Sequence, residues 1–466
     1  MYALNSKLPA LDRPKFWLIF HIVLGVISTQ TKYVLVVWFF YALIQGVYGF
    51  FQAKDKEKKV YYLTALMVYL SAFELLSRMA ETAPFLPYEL GKYILFALLS
   101  IGIISFSNRK FTPWLLVLLL IPALFIDLST QVSGKDMMIS IFGTINMALA
   151  AVFFSNKRLH FQYFKNILYL LFLPAMSALS YVVLKTPSFD EIDFTRQANF
   201  ATSGGFGPNQ VSAIMGLGVF LSFAAWLFGF KFSGYKTGDA LIMVAFIFQG
   251  LLTFSRGGMI GGFIAIFILL FYMFKTDKSF LAQMRIPKVQ KFIIPAVLLL
   301  GVGIYTANEI TDGNLLLRYQ GETGSVREGT KEKDLNTLTT NRYDIAMGDL
   351  ELFSDHPVLG VGVGAARYLR PGIDMIPHVE MTRLMAEHGI LGLLFFVILI
   401  IFGFKRIGRH KIPIIRGVLM ACFILAIYSS FHNATRTFIT PLFVGLSMLM
   451  IVMQEPQNFK KQLIAS

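Results

Sequence analysis

The chain has 466 residues, of which 56% are hydrophobic and only 15% are charged, whereas a soluble protein has about a quarter of its residues charged. This composition excludes a soluble globular protein. Because unpaired backbone groups are costly in lipid, apolar segments this frequent predict transmembrane helices. The net charge is +15, and the single cysteine, Cys422, leaves no disulfide framework within the chain.

Apolar runs separated by short polar breaks predict an all-α polytopic membrane protein with about 12–14 transmembrane helices. We expect helices 1–11 within residues 1–306, one large and partly helical periplasmic loop over 307–388, and helices 12–14 with a cytoplasmic tail over 389–466. The expected spans lie near 15–28, 34–52, 60–77, 91–106, 112–127, 137–154, 163–185, 209–229, 239–253, 258–275, 292–306, 389–404, 413–429 and 438–454.

Basic residues alternate in density from one polar break to the next, which predicts the orientation of the chain. With the N-terminus inside, the cytoplasmic breaks are rich in lysine and arginine and the outer breaks hold about one basic residue each. Both termini are then cytoplasmic and residues 307–388 lie outside. Orientation and contact with anionic lipid account for the positive charge, so no nucleic acid partner is needed. The basic breaks contain Lys54, Lys56, Lys58, Lys59, Arg109, Lys110, Lys157, Arg158, Lys231, Lys236, Lys275, Lys278, Arg285, Lys288, Lys291, Lys405, Arg406, Arg409 and Lys411.

The large loop contains one clear helical pattern. From Arg342 the apolar residues recur at helical spacing, and His356-Pro357 ends the pattern because the residue before a proline resists the helical region. A second helix is expected from about Pro377 into the span that begins near Gly389. Between them, the run GVGVG (360–364) lacks the strand and lysine of a nucleotide-binding loop and is better interpreted as a tight turn.

Four arginines lie on the outer side, where the charge rule disfavours them. A charged group at the membrane is costly unless it is paired or faces a water-filled cavity, and the guanidinium fork suits phosphate oxygens. Salt bridges or contact with lipid headgroups would also explain these residues, and the glycines after the second could serve only helix packing. The four are Arg196, Arg256, Arg342 and Arg436.

His378 is the best candidate for a general base, because an imidazole accepts a proton near neutral pH. It stands at the head of the expected loop helix. Glu380 and Glu387 project to the opposite side of that helix, where either could orient another residue or form a salt bridge. The loop histidines lack metal-ligand spacing, so no metal site is expected.

Taken together, these motifs resemble the O-antigen ligase and O-antigen polymerase superfamily of envelope glycosyltransferases, over roughly residues 196–393. GGFGPNQ, which contains Asn209, resembles the family's Gly-x-Pro-Asn element, and TFSRGG resembles its Ser-Arg-Gly element. The segment from Arg342 through HPVLGVG resembles the outer-loop helix followed by Pro-x-x-Gly-x-Gly. His378, ten residues and Gly389-Ile-Leu-Gly392 are similar to the ligase pattern.

The resemblance implies transfer of a glycan from undecaprenyl diphosphate to a sugar hydroxyl of a lipid A core or similar acceptor. The reaction would occur on the periplasmic side of the bacterial inner membrane, invert the anomeric centre and need no nucleotide, metal or other cofactor. It implies catalytic roles for three residues and substrate binding by five. The catalytic set is His378, Arg256 and Arg342, and the binding set is Arg196, Asn209, Arg436, Glu380 and Glu387.

Two positions depart from the ligase pattern: Val379, where ligases usually have Asn, Ser or Gln, and Leu393, where Thr is often found. A polymerase that joins repeat units therefore stays an alternative, as does a protein O-glycosylating relative. A membrane transporter is the alternative from another class. A transporter is expected to show paired broken helices in two repeated halves, and the sequence has no such repeat.

Overall fold

The computed structural model describes residues 8–106, 111–283, 290–322, 339, 342–370 and 378–453. Over these ranges the chain is almost wholly helical. Eight of the described helices are long and apolar enough to cross a membrane, and three shorter apolar helices accompany them. The prediction of an all-α polytopic membrane protein is confirmed.

The helices follow the apolar runs of the sequence closely. Before the outer loop they are α1 Pro14–Ser28, α2 Tyr33–Gln52, α3 Lys56–Ser71, α4 Glu74–Met79, α5 Leu90–Ser105, α6 Phe111–Leu120, α7 Gly134–Phe154, α8 Phe161–Lys185, α9 Pro208–Phe228, α10 Lys236–Leu252, α11 Arg256–Phe274, α12 Lys278–Gln283 and α13 Gln290–Ile310. In and after the loop they are α14 Asn314–Tyr319, α15 Arg342–Asp355, α16 Ala366–Leu369, α17 Glu380–His388, α18 Ile390–Ile407, α19 Pro413–Asn433 and α20 Ile439–Ser447.

The last expected span, 438–454, differs from a simple crossing. Its helix α20 has nine residues, which at 1.5 Å per residue is about 13 Å, less than half of the hydrocarbon core. The chain then forms strand β2, Met450–Val452, which pairs in parallel with β1, Arg158–His160. This pairing satisfies backbone groups where the chain leaves the helix.

Glycines let the central helices α9 and α11 pack backbone to backbone. A Cβ on Gly262 would lie 2.4 Å from the carbonyl oxygen of Gly216, and one on Gly258 would lie 2.2 Å from the backbone of Ser212. Small residues that allow such approach are typical of membrane helix contacts. These two glycines of the TFSRGGMIGG segment therefore serve helix packing.

Contacts between polar breaks separate the bundle into two ends. At one end, Lys32 Nζ donates to the carbonyl of Ala83 at 2.9 Å, and Arg78 Nη1 donates to the carbonyl of Arg436 at 3.0 Å. At the other end, His160 Nδ1 lies 2.8 Å from Glu57 Oε2 and the Ile451 amide donates to His410 Nε2 at 3.1 Å. Each of these contacts joins breaks that are expected on one side of the membrane, whereas which side is which stays a prediction.

The loop helix from Arg342 to Asp355 begins and ends where the sequence predicts. The second loop helix does not. It starts at Glu380, after an extended Val379, and it stops at Gly389, whose φ of 62° cannot continue a right-handed helix. His378 therefore precedes the helix, and the expected continuous helix into the membrane is wrong; Pro377 lies outside the described residues.

The glycine-rich run forms a turn that caps this second loop helix. Gly360, Gly362 and Gly364 have φ values of 71°, 102° and 81°, which only glycine adopts without strain. The amide of Val361 donates to the carbonyl of Ala386 at 2.9 Å, and that of Gly362 to the carbonyl of Glu387 at 3.1 Å. The run thus satisfies carbonyls that a helix end leaves unpaired, and its interpretation as a turn holds.

Candidate functional site

Arg256 is the first residue of α11, after a turn that two sequence motifs build together. In that turn Phe254 has a φ of 54°, and Ser255 Oγ donates to Asn209 Oδ1 at 2.7 Å. Ser212 Oγ holds the carbonyl of Ser255 at 2.6 Å. The Pro-Asn segment that opens α9 therefore fixes the place from which the Arg256 side chain leaves its helix. Asn209 positions this turn.

Arg256 meets a second arginine that the sequence analysis did not single out. Its Nη1 donates to the carbonyl of Arg318 at 3.2 Å, and Arg318 Nε lies 3.4 Å from the carbonyl of Phe254. Burial and the charges of Arg256 and Arg342 lower the pKa of Arg318 to about 10. Three guanidinium groups are therefore close enough to repel one another.

Arg342, at the start of α15, belongs to the same group. Burial and then the charge of Arg256 lower its pKa, while Tyr428 on α19 opposes that shift. A cluster of like charges with limited access to water favours a bound anion, because an anion would remove the repulsion. This arrangement brings together the two arginines assigned catalytic roles.

His378 faces the same cluster from the segment that precedes α17. Its carbonyl accepts from the amide of Ala434 at 3.0 Å, which fixes the backbone, and its Nδ1 is buried with no hydrogen-bond partner among the described residues. Burial, followed by the charges of Arg436, Arg342 and Arg370, lowers the pKa of His378 to about 3. The imidazole is therefore neutral at pH 7 and able to accept a proton.

Arg436 approaches His378 from the segment between α19 and α20. Burial and the charge of Arg342 lower its pKa to about 10, and Glu89 opposes this shift. Its carbonyl accepts from Arg78, which also donates to Gln210 Oε1 at 2.8 Å and to Glu74 Oε1 at 2.9 Å. Arg78 thus belongs to an internal salt bridge and holds the backbone of Arg436.

His432 is a further residue at this site that sequence reasoning missed. It is buried on α19, its ring stacks on Tyr428, and its Nε2 has no hydrogen-bond partner among the described residues. A Cβ on Gly257 would lie 2.1 Å from His432 Nδ1, so this glycine makes room for the ring beside Arg256. The sequence prediction named only Arg436 from the segment FHNATRTF (431–438), which also contains this histidine.

Arg196 does not join the cluster through a contact of its own. Its Nη1 lies 2.7 Å from Glu322 Oε2, on the segment that follows α14. The ion pair links the break before α9 to the segment that follows α14. A structural role in holding that segment is the simplest explanation of Arg196.

Glu380 and Glu387 also lie apart from the arginine cluster. Both pair with Arg383 between them, through contacts of Arg383 Nε with Glu380 Oε2 at 3.2 Å and of Nη1 with Glu387 Oε2 at 2.8 Å. Thr144 on α7 accepts from the same guanidinium at 2.8 Å. The two carboxylates thus form the salt bridge that the sequence left open, and they attach α17 to the membrane bundle.

A second buried ion pair joins α15 to the residue that follows α16. Arg370 Nε lies 2.9 Å from Asp349 Oδ1, both side chains are fully buried, and Thr382 Oγ1 donates to Asp349 Oδ2 at 3.0 Å. Burial raises the pKa of Asp349 to about 6, although Arg370 opposes the shift. Through the hydrogen bond from Thr382, Asp349 also links the helix that carries Arg342 to the helix that follows His378.

The geometry therefore combines a neutral imidazole with several arginines in one partly buried place at one end of the bundle. Such a site can bind a polyanion and remove a proton from a hydroxyl that lies next to it. Residues 240–397 match a family model described as O-Antigen ligase. A comparison with curated proteins found no match. The matched region contains Arg256, Arg342 and His378 but not Asn209 or Arg436.

Proposed function

We propose that this chain is an O-antigen ligase-like membrane glycosyltransferase, and the match of residues 240–397 to the O-Antigen ligase family model supports this proposal. It transfers a glycan from undecaprenyl diphosphate to a sugar hydroxyl of a lipid A core or similar acceptor. It lies in the bacterial inner membrane with both termini in the cytoplasm and its site on the periplasmic side. The donor, the acceptor and membrane lipid are its partners.

The observation that carries this proposal is that Arg256, Arg342 and His378 lie near enough for their charges to interact. They come from a membrane helix, from the first loop helix and from the segment before the second. Arg342 acts on the pKa of His378, and Arg256 acts on that of Arg342. Groups distant in sequence that converge at a partly buried site with shifted pKa values are typical of catalytic centres.

The proposed reaction needs only these side chains. The diphosphate binds the arginines, the acceptor oxygen attacks the anomeric carbon, and the bond from that carbon to the phosphate oxygen breaks with inversion. His378 takes the proton of the acceptor hydroxyl, and the electron pair of the broken bond stays on the diphosphate. Arginine charges stabilise the leaving group in a place where water screens them weakly. The energy comes from the donor, so neither ATP nor a metal enters the scheme.

The low pKa of His378 fits this order of events. Before the donor binds, burial first and then the arginine charges keep the imidazole neutral. The donor brings negative charge to the same arginines, which offsets their effect and raises the pKa of His378 toward its usual value. The imidazole thus becomes a better base only when the donor is in place.

Purified enzyme with a lipid-linked donor and an acceptor, with chelator and without ATP, tests the proposal. We expect His378→Ala to lose about a hundred- to ten-thousand-fold in rate, the usual effect of removing a general base. Arg256→Lys keeps the charge but loses the planar guanidinium that can bind two phosphate oxygens, so this variant should also be impaired in transfer. Arg409→Ala, on the exposed break before α19, is the matched control.

Near wild-type turnover by His378→Ala at equal protein level would remove it as the base. Inactivity of the wild-type protein after chelation would show that a metal stabilises the leaving group. In cells, a deletion strain that keeps polymerised lipid-linked glycan but attaches none supports the ligase. Loss of polymerisation itself would instead assign a polymerase, and movement of the donor without transfer would assign a transporter.

A further inference from the structure

Arg318 is a buried arginine beside Arg256 and Arg342. It is only 6% exposed, and the described part of the chain places no Asp or Glu within ion-pair distance of it. Three other arginines at this end of the bundle, each no more than 6% exposed, pair with carboxylates. Arg78 contacts Glu74 and Glu89, Arg370 contacts Asp349, and Arg383 contacts Glu380 and Glu387.

Its backbone and side chain are held directly over the TFSRGG turn. The carbonyl of Arg318 accepts from Arg256, and its Nε points to the carbonyl of Phe254 at 3.4 Å, a long and weak contact. Arg256 and Arg342 are its charged neighbours. A buried guanidinium beside two like charges costs free energy that a ligand of opposite charge would recover.

We infer that Arg318 is a third diphosphate-binding residue, matched to the negative charge that the leaving group gains during transfer. This inference rests on the proposed function. The donor diphosphate is esterified at both ends and carries about two negative charges. When the bond to the sugar breaks, its electron pair adds one more charge to the phosphate oxygen, while the acceptor proton moves to His378. Three guanidinium groups then face about three negative charges.

An arginine that contributes mainly after the bond breaks has a distinct kinetic effect. An interaction stronger in the transition state than with the bound substrate lowers kcat when it is lost and leaves donor affinity nearly unchanged. Loss of this interaction also weakens binding of the product, undecaprenyl diphosphate, more than binding of the donor. A residue that only ties α14 to the TFSRGG turn would act on protein stability and would weaken both ligands equally.

The test compares Arg318→Met with the wild type and with Arg409→Met, a control at the other end of the bundle. The readouts are kcat, the KM for donor, and the inhibition constant of undecaprenyl diphosphate. We expect kcat to fall about a hundredfold, as when one donor to a developing charge is removed. The inhibition constant of the product should rise at least about tenfold more than the KM for donor.

Arg318→Lys keeps the charge and provides a second variant if Arg318→Met accumulates poorly. It should retain more kcat than Arg318→Met, with the same preferential weakening of product. Equal weakening of donor and product in the variant, or unchanged kcat, would overturn the role of Arg318. Those results are distinct from failure of the proposed function itself, in which the wild type would transfer no glycan in the same assay.

Discussion

Replacing Arg383 with methionine removes the cation that two buried carboxylates share. In the structure this guanidinium contacts Glu380, Glu387 and Thr144, and the Arg383 residue is 4% exposed. Breaking a buried ion pair from one side costs about 3–5 kcal/mol, because the remaining charge is left without a partner. Arg383→Met should therefore loosen α17 from the bundle and lower the melting temperature by several degrees.

The cost should depend on pH. Burial and the charge of Glu380 raise the pKa of Glu387 to about 7 although Arg383 lowers it, and removing Arg383 raises it further. A group with a raised pKa in the folded state binds its proton more tightly there, so stability falls as pH rises through that pKa. At pH 8 the variant therefore bears more of this cost than at pH 6. At pH 6 Glu387 is protonated, and its share of the stability loss falls to roughly 1–3 kcal/mol, the cost of an unsatisfied polar group.

Thermal unfolding in detergent at pH 6 and pH 8 measures this difference, with Arg409→Met as control. Adding Glu380→Gln and Glu387→Gln to Arg383→Met should recover much of the loss at pH 8, because no uncompensated charge then stays buried. An unchanged melting temperature at pH 8 would refute the reasoning. Loss of transfer in a fully stable Arg383→Met protein would also refute it and would return Glu380 and Glu387 to substrate binding.

Two further predictions concern the reaction and the orientation of the chain. The donor's charge should raise the pKa of His378 from its value of about 3 in the free enzyme. In a pH profile, the fall of kcat on the acid side should therefore occur at higher pH than the fall of kcat/KM, which reports the free enzyme. Coincident falls near pH 6.5 would contradict this prediction. In a Cys422→Ala background, Glu351→Cys should react with an impermeant thiol reagent in intact cells and Lys411→Cys only after permeabilisation. The reverse pattern would overturn the topology and the site with it.

Local signals in the sequence predicted most of the fold. Apolar runs predicted the membrane helices, and His356-Pro357 predicted the end of α15. Both signals are local, because hydropathy and proline affect the conformation of only a few neighbouring residues. The pairing of Glu380 and Glu387 with Arg383 was also within reach of the sequence. The spacing of these three residues along the chain places them on one helical face, as salt-bridged residues usually are.

Contacts between distant segments were beyond such reasoning. Arg318 acquires its importance only because α14 lies over the turn before Arg256, and no motif surrounds it. His432 reaches the site because Gly257 leaves space for it. The start of α17 also depends on tertiary contacts, since the amide of Ala434 holds the carbonyl of His378 in an extended segment. Spacing along one helix cannot reveal these three relationships.

The break at Gly389 affects how the outer loop and the membrane bundle unfold. The amide of Gly389 bonds to Met385, the amide of Ile390 bonds to Pro357 at 2.7 Å, and a Cβ on Gly392 would lie 2.1 Å from the carbonyl of Leu384. The N-terminus of α18 is thus packed against α17 and hydrogen-bonded to Pro357, which lies shortly after the end of α15. Regions interlocked in this way open as one cooperative unit. The segment carrying His378 therefore derives its rigidity from the membrane domain and should not swing away from the arginines as an independent lid.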